Sequence, residues 1–321
     1  MTVTAIFLVL VSAFTHVGWN VLGKRNHPTA AFLLVAMLLG CLCLSPSVLF
    51  FWRALPLFPA AAWVWIVVTG IFQAFYYVAL AGAYRTGDMS VVYPLARSAP
   101  VALVTGFSVL LGRRAQVSLP ALLGIGLVIT GGFVLPLRRF SVQWSDYRQI
   151  STVFALLAAA GTAGYSLVDD HALRILREIP NLPVSPVAVT LLYAFLEGMS
   201  AALWLALWIA WRSARRAEVW EVTRFHLGRA WLAGFFIYLG YTLVLVAMGF
   251  VSNVSYVVAF RQISIPLGTL VGVFVLKEPR YRPKFVGVLI MFAGLVLVGV
   301  AWVCAAMPRM RKDEHGDEFA Q

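Results

Sequence analysis

Ser90-Val91-Val92-Tyr93-Pro94-Leu95-Ala96-Arg97-Ser98-Ala99-Pro100 sets an arginine inside an apolar run, with a proline on either side of it. Nine positions separate Arg97 from Asp88, where the run begins, so a helix carries the guanidinium roughly 13 Å inward, near the middle of a ~30 Å hydrocarbon core. A charge at that depth costs about 2.5 to 3.5 kcal/mol on insertion scales, and intramembrane ionisable residues are functional-site candidates by default. The second half of the chain repeats the device. Ser255-Tyr256-Val257-Val258-Ala259-Phe260-Arg261-Gln262-Ile263-Ser264-Ile265-Pro266 holds Arg261 nine positions past Ser252, with a proline shortly after. Two buried arginines at matching depth point to a site.

The rest of the chain is of the same kind. Of its 321 residues, 61% are hydrophobic and 12% charged, with a mean hydropathy of +0.87; a soluble domain carries about 25% charge. This composition is that of a polytopic membrane protein. The net charge of +12 is spread as short clusters between apolar runs, without the concentrated basic face that nucleic-acid binding needs. No nucleic-acid partner is expected, and loop anchors facing anionic lipid account for the excess. Cys41, Cys43 and Cys304 sit inside apolar runs, so neither a disulfide framework nor a metal site is indicated. No GxxxxGK[ST] loop is present, which speaks against ATP hydrolysis, and no cofactor is expected. The first apolar run has no charged region before it and no small-residue cleavage site, so it reads as a retained helix. A multi-pass place in a bacterial cytoplasmic (inner) membrane is the expected location.

Apolar runs of spanning length fall at about 3–23, 29–51, 60–84, 89–112, 117–137, 150–170, 186–211, 228–249, 252–276 and 283–306, which predicts ten transmembrane helices and an all-α integral membrane fold. The polar segments between them, Arg212–Arg229 included, are loop-sized, so no extramembrane domain is expected. Gly124 and Gly131 in the fifth run recur as Gly287 and Gly294 in the tenth, each pair seven apart and suited to close helix packing. That offset is 163 residues; Arg97 to Arg261 and Tyr77 to Tyr241 are both 164. An internal duplication follows: a first five-helix repeat over 1–137, a connecting loop over 138–149, a second repeat over 150–306 and a polar tail over 307–321. A five-helix unit starts and ends on opposite faces, so its tandem copy enters the membrane upside down. The result is a pair of inverted repeats whose corresponding residues converge at the midplane.

Several side chains would surround that point. His16 and Asn20 lie four apart on one helix face, as do Gln73, Tyr77 and Tyr84 at spacings of four and seven; each set also suits plain helix packing. Glu197, eleven residues past Pro186 and so about 16 Å along its helix, is the one carboxylate expected near mid-membrane. It fits a proton-coupling site and equally an ion-pair partner for an arginine. Guanidinium binds carboxylate, phosphate or phosphonate through paired hydrogen bonds, and two arginines against one glutamate leave a positive excess that favours an anionic or zwitterionic substrate. The alternative is a structural network, in which the arginines tie Glu197 to backbone unwound at Pro94, Pro100 and Pro266.

The chain resembles the EamA family of the drug/metabolite transporter superfamily over almost its whole length. The residues that carry the resemblance are Trp19-Asn20 with Lys24, Gly87-Asp88-Met89-Ser90-Val91-Val92-Tyr93-Pro94-Leu95-Ala96-Arg97, and Val275-Leu276-Lys277-Glu278-Pro279. The resemblance implies a ten-helix carrier with cytoplasmic termini and a central cavity open alternately to each side. The count of loop Lys and Arg, taken by the positive-inside rule, puts the termini on the opposite side. Two features depart from the family pattern: Leu111-Gly112-Arg113-Arg114 has arginine where the second half has Glu278, and Asp169-Asp170 replaces a basic helix end.

The expected activity is therefore a secondary transporter, or permease, for a small metabolite such as an amino or organic acid. Arg97 and Arg261 orient the anionic group, and Trp19, Asn20, Tyr77, Tyr93, Tyr241 and Tyr256 shape the cavity. Glu197 is the coupling residue for a proton, or a counter-substrate takes that part. The rival is a membrane-embedded enzyme acting on a lipid-linked or small polar substrate. Its histidines are scattered, and Asp169-Asp170-His171 is the nearest approach to a metal site.

Overall fold

A computed structural model describes residues 2–26, 29–86, 89–111, 118–135, 137, 139–140, 149–211, 213–251, 253–274 and 280–316. Among these residues there are helices and no strands. The first half holds α1 (Val3–Asn26), α2 (Ala30–Phe51), α3 (Ala60–Thr86), α4 (Met89–Leu110) and α5 (Leu119–Val134). The second holds α6 (Ile150–Arg177), α7 (Pro186–Ala210), α8 (Ser213–Phe225), α9 (Leu227–Met248), α10 (Val254–Phe260), α11 (Ser264–Phe274) and α12 (Arg282–Gly316). The described residues of the apolar runs lie mostly in helix, and those of 252–276 are divided between α10, a 3-10 turn and α11. Six of the helical spans are long and apolar enough to cross a membrane, and Val3–Trp19, Leu95–Leu110 and Leu119–Val134 are shorter apolar helices.

Local chemistry sets the helix starts. Thr29, Ser118 and Ser185 accept from the backbone N–H three residues on, of Phe32, Ala121 and Ala188 at 3.2, 3.4 and 3.2 Å. Each thereby satisfies one of the donors a helix start leaves orphaned. Asn253 does the same for Ser255 N at 2.9 Å. Pro120 and Pro186 stand in the first turns of α5 and α7, where a missing N–H costs nothing.

The prolines behave differently in the two halves. α4 runs unbroken from Met89 to Leu110 through Pro94 and Pro100, whereas the helix carrying Arg261 is interrupted by a tight 3-10 turn over Arg261–Ile263. Pro266 cannot donate to the Gln262 carbonyl. Side chains mend the break: Gln262 Nε2 donates to Val258 O at 2.8 Å and Ser264 Oγ to Arg261 O at 3.1 Å.

The segment expected to be a loop at 212–229 contains α8, a run without Gly or Pro and rich in helix-forming Arg, Glu and Ala. Val222 anchors it in a small cluster with Phe32, Val35 and Ala233, and the Arg215 guanidinium lies 3.5 Å from the Trp208 ring centroid. α12 likewise runs on past 306 to Gly316.

α5 and α12 run antiparallel. α5 lies along α12, with Gly124 against Gly294 and Gly131 against Gly287. A Cβ at Gly124 would stand 2.7 Å from the Gly294 carbonyl oxygen, and one at Gly131 2.7 Å from that of Gly287, so only glycine lets the backbones approach this closely. α3 lies along α6 and α7, α1 along α9, α2 along α7 and α9, and α4 along α6 and α5. Leu38, Leu42 and Leu49 of α2 point outward while Leu34, Met37 and Cys41 point inward. A helix apolar all round in this way suits lipid on one side and protein on the other. The molecule is a multi-pass membrane protein.

Candidate functional site

The packing brings polar side chains of both halves to one narrow central cavity. α1 contributes His16 and Trp19, α3 contributes Gln73, Tyr76 and Tyr77, and α4 contributes Arg97. From the second half come Tyr165 of α6, Ile237, Tyr238 and Tyr241 of α9, and Arg261 of the 3-10 turn. The cavity volume is about 40 Å³. That is room for a few waters or one small polar group.

Arg97 and Arg261 are 7% and 2% exposed. Arg261 reaches Tyr165 OH through Nη2 at 3.4 Å and sits over the Tyr241 ring, 5.8 Å from its centroid. Among the described residues its buried Nε and Nη1 have no hydrogen-bond partner, an expensive state for a charged donor unless a ligand completes it. The cavity wall is aromatic. Tyr76 meets Tyr165, and Tyr165 meets Tyr241, edge to face at 5.8 and 5.5 Å, the arrangement ring quadrupoles prefer. His16 is held by the α1 backbone, Nδ1 lying 2.9 Å from Ser12 O, while Ser12 Oγ ties α1 to α9 by donating to Gly240 O at 2.7 Å.

Behind Gln73 and Tyr241 lie two carboxyls, where the sequence predicts one. Asp169 and Glu197 are both 0% exposed, and each acts electrostatically on the other. Asp169 Oδ1 accepts from Thr69 Oγ1 at 2.6 Å and Tyr193 OH at 2.7 Å, and Oδ2 accepts from Tyr241 OH. Glu197 Oε2 accepts from Gln73 Nε2 at 2.9 Å; its Oε1 has no hydrogen-bond partner. Glu197 forms no ion pair with an arginine among the described residues. The expectation of Glu197 as the sole mid-membrane carboxylate is corrected by the length of α6. The apolar run ends near 170, but the helix continues to Arg177, which draws Asp169 into the interior.

Asp169, Asp170 and His171 point three ways. Asp169 faces inward, Asp170 pairs with Arg174 at 3.0 Å one turn on, and His171 meets the Trp65 ring edge-on at 5.0 Å. Among the described residues no group of three His, Cys, Asp or Glu is placed to hold a metal ion.

Of the residues expected at the site, Trp19, Tyr77, Arg97, Tyr241 and Arg261 line the one cavity, and Glu197 stands one hydrogen bond behind it. Tyr256 does not: its hydroxyl accepts from Ser118 N at 3.3 Å, at the start of α5. It belongs to the core there. The side chains of Asn20 and Tyr93, and the residues 275–279 with Glu278, lie outside the described residues. The sequence reading missed Asp169 as an interior residue and Tyr165 as a lining one. Their signal is the spacing of four that puts both on one face of α6.

Residues 3–136 match the model of the EamA-like transporter family. A protein of known crystal structure superposes on 92% of this chain and 97% of its own length, with a TM-score of 0.61 at 15% identity, a likeness of fold. No curated protein matches the chain.

Proposed function

We propose that this chain, a member of the EamA-like transporter family through residues 3–136 and so of the drug/metabolite transporter superfamily, is a ten-span carrier for a small anionic or zwitterionic metabolite. It works by alternating access between two inverted five-helix repeats. Members of the family are membrane transporters. The observation that carries the substrate class is the meeting of two buried guanidiniums, one from each half, on one cavity, where Arg261 holds two donors without partners.

The helix pairings support the repeat. Exchanging α1, α2, α3, α4 and α5 for α6, α7, α9, α10–α11 and α12 turns the pair α3–α6 into α9–α1, α3–α7 into α9–α2, and α4–α6 into α11–α1. It maps α5–α12 and α2–α7 onto themselves, and every partner so generated is a real contact. Individual contacts recur between the halves, with a sequence offset of 164 for Phe72 and Phe236, Gly70 and Gly234, and Ala36 and Ser200, and of 146 for Gly18 and Gly164. Phe72 covers Gly164 as Phe236 covers Gly18, and Gly70 meets Ser200 as Gly234 meets Ala36. The family match ends at residue 136, where the first unit is expected to end.

In this reading Arg97 and Arg261 orient the anionic group while Trp19, Tyr77 and Tyr241 shape its surroundings, with Asn20 and Tyr93 from the same helices. Tyr256 leaves the set. Glu197 is the coupling residue. The test is thermal shift of purified protein against glutamate, lactate, phenylphosphonate and tetraphenylphosphonium, followed by counterflow of any stabilising compound in proteoliposomes. An anionic or zwitterionic probe that stabilises the wild type, with the shift abolished in folded Arg97→Ala and Arg261→Ala, is the expected result. Stabilisation by the cation alone, surviving both substitutions, overturns the substrate class.

A further inference from the structure

Asp169 and Glu197 are both fully buried and adjacent, yet their hydrogen bonds are unequal. Asp169 accepts from three hydroxyls, of Thr69, Tyr193 and Tyr241. Three donors are what an ionised carboxylate needs when water is absent. Among the described residues Glu197 has a single donor, Gln73, and its Oε1 is an acceptor with nothing donated to it, close to the other carboxyl. Two like charges at such a site cannot both persist; one proton between them removes the repulsion and turns the orphan acceptor into a donor.

The groups facing the pair do not supply the missing charge. They are the phenols of Tyr77 on α3, Tyr193 on α7, and Tyr238 and Tyr241 on α9, with the thiol of Cys41 on α2. The cations, Arg97 of α4 and Arg261 beyond α10, line the adjoining cavity together with His16 of α1. Asp170, beside Asp169 on α6, is engaged with Arg174.

We propose that Asp169 and Glu197 form a proton site that holds one proton, bonded to Glu197 Oε1 and donated toward Asp169, and that this proton crosses the membrane with each anionic substrate. The second clause rests on the substrate reading above; the first does not. With the proton in place, two guanidiniums stand against one carboxylate and one carboxylic acid, and the site keeps one net positive charge for an anion. When the O–H bond breaks and the proton leaves to water, the charges cancel and the anion is released. One proton and one negative charge move together, so transport is electroneutral. Tyr241 is the mechanical link, its hydroxyl on Asp169 and its ring beneath Arg261.

The experiment has two arms. The first needs no substrate: infrared difference spectroscopy of the reconstituted wild type titrated between about pH 5 and pH 9, repeated on Glu197→Gln and Asp169→Asn. One buried carboxylic-acid carbonyl band titrates in the wild type, disappears in Glu197→Gln, and is displaced but present in Asp169→Asn. No titrating band, or a band that survives Glu197→Gln, overturns the proton site. The second arm follows uptake of whichever of the two monoanionic probes, glutamate or lactate, stabilises the protein. An inward proton gradient drives about tenfold accumulation per pH unit, an imposed membrane potential drives none, and Glu197→Gln abolishes accumulation. Accumulation that follows the potential instead overturns the coupled step. A probe that binds and moves while no band titrates leaves the substrate reading standing and removes the proton; a titrating band lost in Glu197→Gln, with no anionic probe bound, does the reverse.

Discussion

The two halves of the molecule agree in scaffold and disagree in chemistry. Each supplies one buried arginine to the cavity, and Phe72 of α3 and Phe236 of α9 each cover a glycine of the other half's first helix. The acids break the pattern. Thr69 and Gln73, which serve Asp169 and Glu197, have Ala233 and Ile237 as their counterparts 164 residues on, and the counterpart of Glu197 is Leu33. Gln73 and Ile237 even line the same cavity. In the proposed reading anion capture is shared between the halves, while the acid pair belongs to one interface alone. In the proposed repeat both copies of the scaffold are needed to pack, but a charge-compensating device is needed once.

The strongest way to break the comparison is through the scaffold. Gly131→Leu forces the α5 and α12 backbones apart and is expected to cost more than about 4 kcal/mol, read as loss of monodisperse protein by size exclusion. Gly126→Ala, with open space around its Cβ, is expected to be neutral or stabilising by up to about 1 kcal/mol. The arginines come next. Arg261→Ala and Arg97→Ala are each expected to remove about 2–5 kcal/mol of affinity for the stabilising probe, measured by calorimetry. Lysine restores little of it, because it lacks the planar fork. Equal losses sharpen the symmetry, whereas loss at one arginine alone breaks it.

A smaller effect tests the acid interface. Gln73→Ile copies the other half and strips Glu197 of its donor, at about 1–3 kcal/mol of stability. Adding Glu197→Leu completes the apolar pattern and is expected to bring the melting temperature back toward wild type, since replacing both partners is far cheaper than orphaning one. If the double variant is no more stable than the single, the acid interface is not a polar insertion into an otherwise apolar repeat. Smallest is Tyr256→Phe: about 0.5–1.5 kcal/mol of stability from the Ser118 hydrogen bond, with affinity for the probe unchanged.

What the sequence reveals and what it hides follow the same division. The arginines, Trp19, Tyr77, Tyr241 and the glycine pairs are legible because each is an exception within an apolar run or recurs at a fixed offset. Asp169 is hidden by both tests. It has no counterpart to recur with, and it sits where hydropathy falls, so it reads as a helix end. Only the continuation of α6 to Arg177, with Asp170 neutralised by Arg174 one turn on, turns that end into an interior. Tyr256 fails for the opposite reason. It shares a helix with the site, but its hydroxyl finds a backbone donor in another one. The break at Arg261–Ile263, against an unbroken α4, is likewise a matter of which side chains are at hand to satisfy the freed carbonyls.

The glycine crossings between α5 and α12 also determine how the two halves can move. Backbone touches backbone at Gly124–Gly294 and again at Gly131–Gly287, two places about 10 Å apart along the helix. A side-chain contact can slide by changing rotamer; a backbone contact has no such play. Two pins define an axle, and bodies joined by one retain a single freedom, rotation about the line through it. In the proposed carrier, opening is then a rocking of one half against the other about that axle.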